Sequence, residues 1–152
     1  MADVERTLFL VKPDAVERGL VGEIVSRFER RGFTIRGLKL IRVAEQQAAE
    51  HYVEHAGKPF YPDVVQFITS GPVVAMVLEG PGAVAAVRAM MGATNPSAAA
   101  PGSIRGDLAV NIGNNVVHGS DSPGRGAEEV ALFFEAGELI EWDAVDTPWV
   151  DG

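Results

Sequence analysis

Cysteine is missing from this 152-residue sequence, and long apolar runs are missing as well. Without cysteine there is no disulfide and no thiolate nucleophile or ligand, a usage typical of the cytoplasm. Near the N-terminus the apolar run at residues 8–11 has only four residues, too few for the core of a signal peptide. No run approaches the roughly 20 residues that a membrane helix needs. We therefore expect a cytoplasmic protein without a membrane partner.

Net positive charge is also missing. The sequence carries 13 lysine and arginine residues against 21 aspartate and glutamate residues, which gives a formal charge of -8 at pH 7. A broad nucleic-acid surface would be basic, so we expect no nucleic-acid partner. The motif G-x-x-x-x-G-K-[ST] is absent too, which excludes a P-loop. A polyphosphate ligand would therefore need a few locally gathered cations, and Lys12, Arg88 and Arg105 are the candidates.

The length and the 47% apolar content are those of one globular domain, which we expect to span residues 1–152. Apolar runs predict strands at residues 7–12, 33–43, 72–80 and 115–118. Helical spacing and composition predict helices at residues 19–32, 44–55, 61–71, 81–92 and 126–134. Without the helical insertion at 44–71, this is the order of a ferredoxin-like βαββαβ fold. We therefore predict an α/β fold (an α+β sandwich) with a four-stranded antiparallel sheet and additional helices.

Three glycine-containing segments refine this prediction. Gly32 is expected to end the first long helix as its C-terminal cap. In residues 33–43 the apolar side chains switch faces across Gly37, which predicts a β-bulge there. Residues 93–115 form a long segment rich in proline and glycine. A loop of that length in a small domain is usually functional, so we expect it to contribute to a site.

The pentapeptide HYVEH at residues 51–55 matches H-x-x-E-H, the zinc pattern of one class of metallopeptidases. His51 and His55 are four residues apart and would share one helix face, and Glu54 could serve as the base. Catalytic zinc also needs a third protein ligand, which nothing in the sequence marks. A zinc-dependent hydrolase is therefore one alternative. The simpler interpretation is that both histidines lie on a solvated helix surface.

The segment NVVHGSDS, residues 115–122, brings His118 to the point where an apolar strand ends among small polar residues. A neutral imidazole can attack phosphorus when its second nitrogen is held by a hydrogen-bond acceptor. Glu129, eleven residues further on in the last predicted helix, could fold back to be that acceptor. Phosphoryl transfer otherwise needs mainly positioning and cations. His118 is therefore either such a nucleophile or a strand-end histidine that packs.

Five segments occur in the order in which one enzyme family has them: ERTLFLVKPDAVERGLVGEI, HYVEHAGKPFYPDVVQFITSGPVVAMVLEG, MGATNP, GSIRGD and NVVHGSDS. The last contains N-x-x-H-G-S-D, which is specific. Through these segments the sequence resembles the nucleoside diphosphate kinases over nearly its whole length. The resemblance implies a Mg²⁺-dependent ping-pong exchange. A nucleoside triphosphate phosphorylates Nδ1 of His118, and a nucleoside diphosphate then collects the phosphoryl group.

The resemblance also implies roles for individual residues. The catalytic set would be His118, Glu129, Ser120, Lys12 and Tyr52. The nucleotide-binding set would be Lys12, Phe60, Val64, Arg88, Thr94, Arg105 and Asn115. Glu129 and Ser120 would orient the catalytic ring, while Phe60 and Val64 would form an apolar clamp on the base. Lys12 and Asn115 would hold the ribose. The phosphates would be held by Lys12, Tyr52, Arg88, Thr94 and Arg105. The resemblance names no protein residue as a dedicated metal ligand.

The resemblance further implies a homo-oligomer, since family members assemble as hexamers and less often as tetramers or dimers. We expect a homohexamer with nucleoside triphosphates and diphosphates as its small-molecule partners. The sequence departs from the common pattern at Asn114, where arginine is frequent. A kinase-like fold that has lost its activity and serves as a binding module is the remaining alternative. The intact set of functional residues argues against it.

Overall fold

The structure, a computed structural model, describes residues 3–150. Its centre is a four-stranded sheet made of β1 (Val4–Val11), β2 (Thr34–Ile41), β3 (Val73–Pro81) and β4 (Val117–Gly119). The strands lie in the order β2-β3-β1-β4, and each neighbouring pair is antiparallel. The predicted fold class, a four-stranded antiparallel sheet with helices, is confirmed.

The connecting segments of the described chain are mostly helical. The α-helices are α1 (Pro13–Glu17), α2 (Val21–Arg31), α3 (Glu45–His51), α4 (Tyr61–Thr69), α5 (Ala83–Met91), α6 (Ile104–Leu108), α7 (Pro123–Phe133) and α8 (Thr147–Val150). Short 3₁₀ turns lie at Val53–His55, Pro96–Ala98, Ile112–Asn114 and Ala136–Glu138. Within residues 3–150 no helix combines the length and the apolar character that crossing a membrane requires.

Helices cover both faces of the sheet, which explains why the central strand β1 is apolar without a break from Leu8 to Val11. Phe9 and Val11 point to one face, where they join the core that α2 and α5 also line. Leu8 and Leu10 point to the other face, where α3, α4 and α7 pack. Successive strand residues alternate between faces, so each half of the core takes every second residue of β1.

Local chemistry determines several element boundaries. Gly32 ends α2 as predicted, with φ at 106° and its N–H bonded to the carbonyls of Phe28 and Glu29. The pairing of β2 with β3 shifts register between Ile35 and Gly37, which confirms the bulge. The last long helix begins at Pro123 rather than at the predicted residue 126, because Ser122 caps it by accepting the N–H of Arg125.

Residues 93–115 contain more regular structure than the sequence predicted. The hydroxyl of Ser103 accepts the N–H of Gly106 at 3.1 Å and so caps α6. The side chain of Asn95 likewise accepts the N–H of Ser97 and begins a 3₁₀ turn. These side-chain caps supply acceptors for backbone donors that a helix start leaves free. The segment is therefore a series of short capped turns.

Candidate active site

His118 lies at the middle of the short edge strand β4, where its Cα is paired with that of Leu10 on β1. Residues directly opposite each other in an antiparallel pair project to the same face. His118 therefore shares the face of Leu10, which is the face covered by α3, α4 and α7. Its neighbours Val117 and Gly119 are buried, while the imidazole keeps 20% of its side-chain surface exposed.

Glu129 on α7 meets this ring from above the sheet. Its Oε2 lies 3.1 Å from Nε2 of His118, and only 3% of the Glu129 side chain is exposed. Nδ1 of His51, at the end of α3, lies 3.1 Å from the same carboxylate oxygen. The rings of His51 and His118 cross at 80° with their centroids 4.5 Å apart. One buried carboxylate thus faces two imidazoles, and among residues 3–150 Nδ1 of His118 has no hydrogen-bond partner.

The protonation states of this cluster follow from burial and contact. Burial lowers the pKa of His118 to about 4, although the hydrogen bond with Glu129 acts in the opposite direction. Burial alone would raise the pKa of Glu129, but the contacts with His118 and His51 outweigh it and hold that pKa well below its usual range. At neutral pH the geometry therefore pairs a neutral imidazole with an ionised carboxylate.

Two predicted catalytic residues lie beside this cluster in fully or nearly buried positions. Ser120 is completely buried, and its hydroxyl accepts the backbone N–H of Leu8 at 3.1 Å. Tyr52 is 8% exposed, and burial followed by the charge of Glu129 raises the pKa of its hydroxyl. The structure thus brings both residues to the site, with the Ser120 hydroxyl tied to β1.

Lys12 reaches the same site because it directly follows β1, next to the start of the antiparallel strand β4. Its Nζ donates to Oδ1 of Asn115 at 2.9 Å, and the Asn115 amide donates to the carbonyl of Thr94 at 3.1 Å. Burial, followed by the charge of Arg105, lowers the pKa of Lys12 to about 8. The ammonium group is therefore charged at pH 7 but close to its titration range.

Arg105 on α6 is 5% exposed and binds backbone carbonyls. Its Nε donates to the carbonyl of Asn115 at 3.1 Å, its Nη2 to that of Val117 at 2.7 Å, and its Nη1 to that of Gly92 at 3.1 Å. Burial, followed by the charge of Arg88, lowers the pKa of Arg105 to about 10. Arg88 itself is exposed and pairs with Asp121 at 2.7 Å. The three cations singled out in the sequence therefore do gather locally.

Two adjoining cavities open on His118. The first, of about 190 Å³, is polar and is lined by the histidine–glutamate cluster, the three cations, Asp121 and Arg125. The second, of about 660 Å³, is mainly apolar and is lined by Phe60, Val64, Phe67 and Ile68. Lys12, Tyr52, Thr94 and Asn115 line both. Every predicted site residue except Ser120 therefore lines one cavity or both.

Sequence reasoning missed Ile112 and Asp63, which also line the apolar cavity. Ile112 begins a 3₁₀ turn in the segment 93–115 and is 59% exposed. An exposed isoleucine in an irregular stretch gave no local signal of a site. Only the folded chain shows that Ile112 lines the same cavity as Phe60 and Val64.

The interpretation of HYVEH as a solvated helix surface is wrong for His51, which is 4% exposed and contacts Glu129. The predicted zinc triad does not form either. Helix α3 ends at His51 and a 3₁₀ turn follows, so His51 and His55 are not one helical turn apart. Glu54 is exposed, and the ring of His55 lies instead near Phe60, with centroids 5.3 Å apart. A zinc hydrolase is not supported.

Another group of metal-ligating atoms does occur, from His51, His118 and Glu129, within 4.8 Å of one another. The cations Lys12 and Arg125 line the same cavity and oppose a metal ion at these atoms. Asp121 on the wall of the same cavity offers a carboxylate with 69% of its side chain exposed, a donor type that suits Mg²⁺ carrying waters and phosphates, although it pairs with Arg88 at 2.7 Å.

Comparison with known proteins agrees with this geometry. The family model described as nucleoside diphosphate kinase matches residues 5–139. The nucleoside diphosphate kinase of Pelotomaculum thermopropionicum is 58% identical over 147 residues, covering 97% of this chain and 99% of that protein. The chloroplastic nucleoside diphosphate kinase 2 of Nicotiana tabacum is 56% identical over 150 residues, and this chain spans 65% of its length.

Among solved structures, the halophilic nucleoside diphosphate kinase of Halobacterium salinarum, determined in complex with CDP, superimposes with a TM-score of 0.95. It is 50% identical, and the match covers 97% of this chain and 99% of that one. A nucleoside diphosphate kinase family protein from Babesia bovis follows with a TM-score of 0.94 and 42% identity. Sequence and structure together show that this chain belongs to the nucleoside diphosphate kinase family, whose reaction is phosphoryl transfer between nucleotides.

Proposed function

We propose that this chain transfers the terminal phosphoryl group of a nucleoside triphosphate to a nucleoside diphosphate through a phosphohistidine at His118. In the first half-reaction the Nδ1 lone pair forms a bond with the terminal phosphorus. The bond from that phosphorus to its bridging oxygen breaks, and the diphosphate leaves with the electron pair. A second diphosphate then attacks the phosphorus through its terminal oxygen, the N–P bond breaks, and the ring returns to its neutral form.

The observation that carries this proposal is the contact between His118 and Glu129. An N–H on Nε2 that donates to the carboxylate fixes the tautomer in which Nδ1 has a free lone pair. The lowered pKa of His118 keeps the ring neutral near pH 7, so that lone pair is not blocked by a proton. When Nδ1 bonds phosphorus the ring becomes cationic, and the buried carboxylate stabilises the charge that develops.

The cations of the polar cavity would hold the phosphates. Lys12 and Arg88 present charged groups there, and Thr94 offers a hydroxyl at the same wall. Arg105 has five N–H groups, and three of its nitrogens each make one bond to a carbonyl. Two N–H groups remain for a phosphate oxygen, so Arg105 can serve the fold and the substrate together.

The apolar cavity would hold the nucleoside. Phe60, with 46% of its surface exposed, can stack on a base without reading its edge, and Val64 packs beside it. Such a contact accepts any base, which fits an enzyme that acts on several nucleotides. Asn115 and Lys12 lie between the two cavities, where a ribose would sit. The Halobacterium relative was determined in complex with CDP, which supports nucleotide binding by this chain.

Nucleoside diphosphate kinases depend in general on a divalent metal ion, and we propose Mg²⁺ for this chain. The ion would neutralise phosphate charge, with Asp121 as an exposed carboxylate on the wall of the polar cavity. We further propose one domain over residues 1–152, a homohexamer and a cytoplasmic location. The exposed apolar residues Leu38 and Leu40 on the edge strand β2 support self-association. Light scattering on purified protein tests the hexamer directly.

The first experiment mixes purified protein with γ-labelled ATP and Mg²⁺ in the absence of an acceptor. We expect acid-labile, alkali-stable label on His118 that moves to added GDP or CDP. A His118→Gln variant should bind nucleotide and unfold near the wild-type temperature but take up no label. Label on another residue, or exchange retained by that variant, would refute the phosphohistidine route.

A further inference from the structure

Val116, two residues before His118, has a backbone conformation that valine rarely adopts. Its φ is 65°, and among residues 3–150 it is the non-glycine residue with positive φ. Left-handed backbone is unfavourable for a β-branched side chain and persists only where surrounding contacts enforce it. The side chain of Val116 is completely buried in the core that α2 and α5 line, so it cannot rotate out to relieve the strain.

Two of the contacts that hold this conformation come from the junction of β1 and α1, beside the bonds of Arg105 to the carbonyls of the two flanking residues. The N–H of Val116 donates to Oδ2 of Asp14 at 3.2 Å. The carbonyl of Val116 accepts the N–H of Lys12 at 2.9 Å. The second contact is backbone to backbone and survives any substitution, whereas the first depends on one carboxylate. Asp14 is thus the side chain that bonds the strained amide itself.

The position of the catalytic ring depends on this amide. A change of φ at Val116 from the left-handed to an extended value would rotate the chain that follows about the N–Cα bond, and the direction of the following side chains would change with it. His118 follows after one residue and is held in a strand of only three residues, Val117–Gly119. A change in the backbone of Val116 would therefore alter the position of the imidazole, because only one residue separates the two.

We propose that Asp14 is a positioning residue for phosphoryl transfer, which acts by holding Val116 in the left-handed conformation that directs His118 toward Glu129. This inference rests on the proposed function of His118. The competing explanation is structural: Asp14 lies in the first turn of α1, where a carboxylate stabilises a helix. The charge of Asp14 also opposes the burial that lowers the pKa of Lys12, so charge and geometry must be separated.

Four substitutions at two positions separate charge from geometry. Asp14→Ala removes both the acceptor and the charge, whereas Asp14→Asn removes the charge and keeps an acceptor oxygen. Val116→Gly removes the strain because glycine adopts positive φ freely. Val116→Ala is the matched control, since it shortens the side chain almost as much but retains the strain.

The measurement is the single-turnover rate of phosphoenzyme formation with γ-labelled ATP and Mg²⁺, together with nucleotide affinity and melting temperature. Asp14→Ala should slow the step by roughly tenfold or more with nearly unchanged nucleotide affinity. Asp14→Asn should retain a rate within about threefold of wild type. When Val116→Gly is already present, adding Asp14→Ala should lower the rate by less than about threefold. When Val116→Ala is already present, adding Asp14→Ala should lower the rate by the full factor seen in the wild-type chain.

Equal losses from Asp14→Ala in both Val116 backgrounds would overturn the inference, as would losses that simply follow melting temperature. Asp14→Asn as slow as Asp14→Ala would assign the effect to charge and also overturn it. Labelling of the wild-type protein distinguishes failure of the proposed function from failure of the positioning role. Absence of label on its His118 refutes the proposed function, while normal label there with an unaffected Asp14→Ala variant refutes only the positioning role.

Discussion

Glu129→Gln provides the sharpest test of the phosphohistidine mechanism. Glutamine has nearly the size of glutamate, so the buried site should keep its packing, but it carries no charge 3.1 Å from Nε2 of His118. The neutral imidazole of the reactant loses little electrostatic stabilisation by this change. The transition state loses more stabilisation, because the imidazole becomes cationic as its bond to phosphorus forms. The substitution should therefore act on the rate constant more than on nucleotide affinity.

The size of the effect follows from the geometry. Opposite unit charges about 4 Å apart attract by about 4 kcal/mol at an effective dielectric constant of 20. If about half of a charge has developed on the ring, the carboxylate stabilises the transition state by about 2 kcal/mol, or roughly thirtyfold in rate. Single-turnover phosphorylation by γ-labelled ATP measures this loss without interference from the second half-reaction.

Glu128→Gln is the matched control, since Glu128 is the preceding residue, has 69% of its side chain exposed and pairs with Arg125 at 3.0 Å. An exposed pair of this kind contributes little, so the control should stay within about twofold of wild type. A Glu129→Gln rate within about threefold of wild type, with folding intact, would refute the electrostatic role of this carboxylate.

Two further predictions follow from the same site. Because Lys12 has its pKa lowered to about 8, its charge is present below that pH and lost above it. The value of kcat/KM should thus fall above about pH 8 and stay level in Lys12→Arg; an alkaline fall unchanged in that variant would contradict the assignment. His51→Gln removes a contact with the carboxylate of Glu129 and should slow phosphorylation by roughly tenfold at unchanged nucleotide affinity. A weakened affinity at an unchanged rate would instead make His51 a binding residue.

The fold and part of the site could be predicted from local pattern. Apolar runs mark strands buried on both faces, and the phase switch across Gly37 marks the bulge, since both are properties of neighbouring residues. The meeting of His118 with Glu129 was predictable because a strand end and the next helix are close in sequence. The roles of these residues remain predictions.

The rest depends on contacts between distant segments. His51 belongs to a polar pentapeptide typical of helix surfaces, yet Phe133 and Tyr52 enclose its ring. Helix α3 ends at that histidine, a boundary that residue preferences at 44–55 did not indicate. The left-handed Val116 runs against the preference of valine itself, and tertiary contacts override that preference.

The bonds of Arg105 to backbone carbonyls also affect the open edge of the sheet. Val117 presents its carbonyl at the open edge of β4, and the guanidinium of Arg105 binds this carbonyl together with that of Asn115, which precedes the strand. A side chain from the segment 93–115 thereby shields an edge that would otherwise invite pairing with another chain. Losing Arg105 would therefore remove a cation from the polar cavity and expose a carbonyl of the edge strand in the same step.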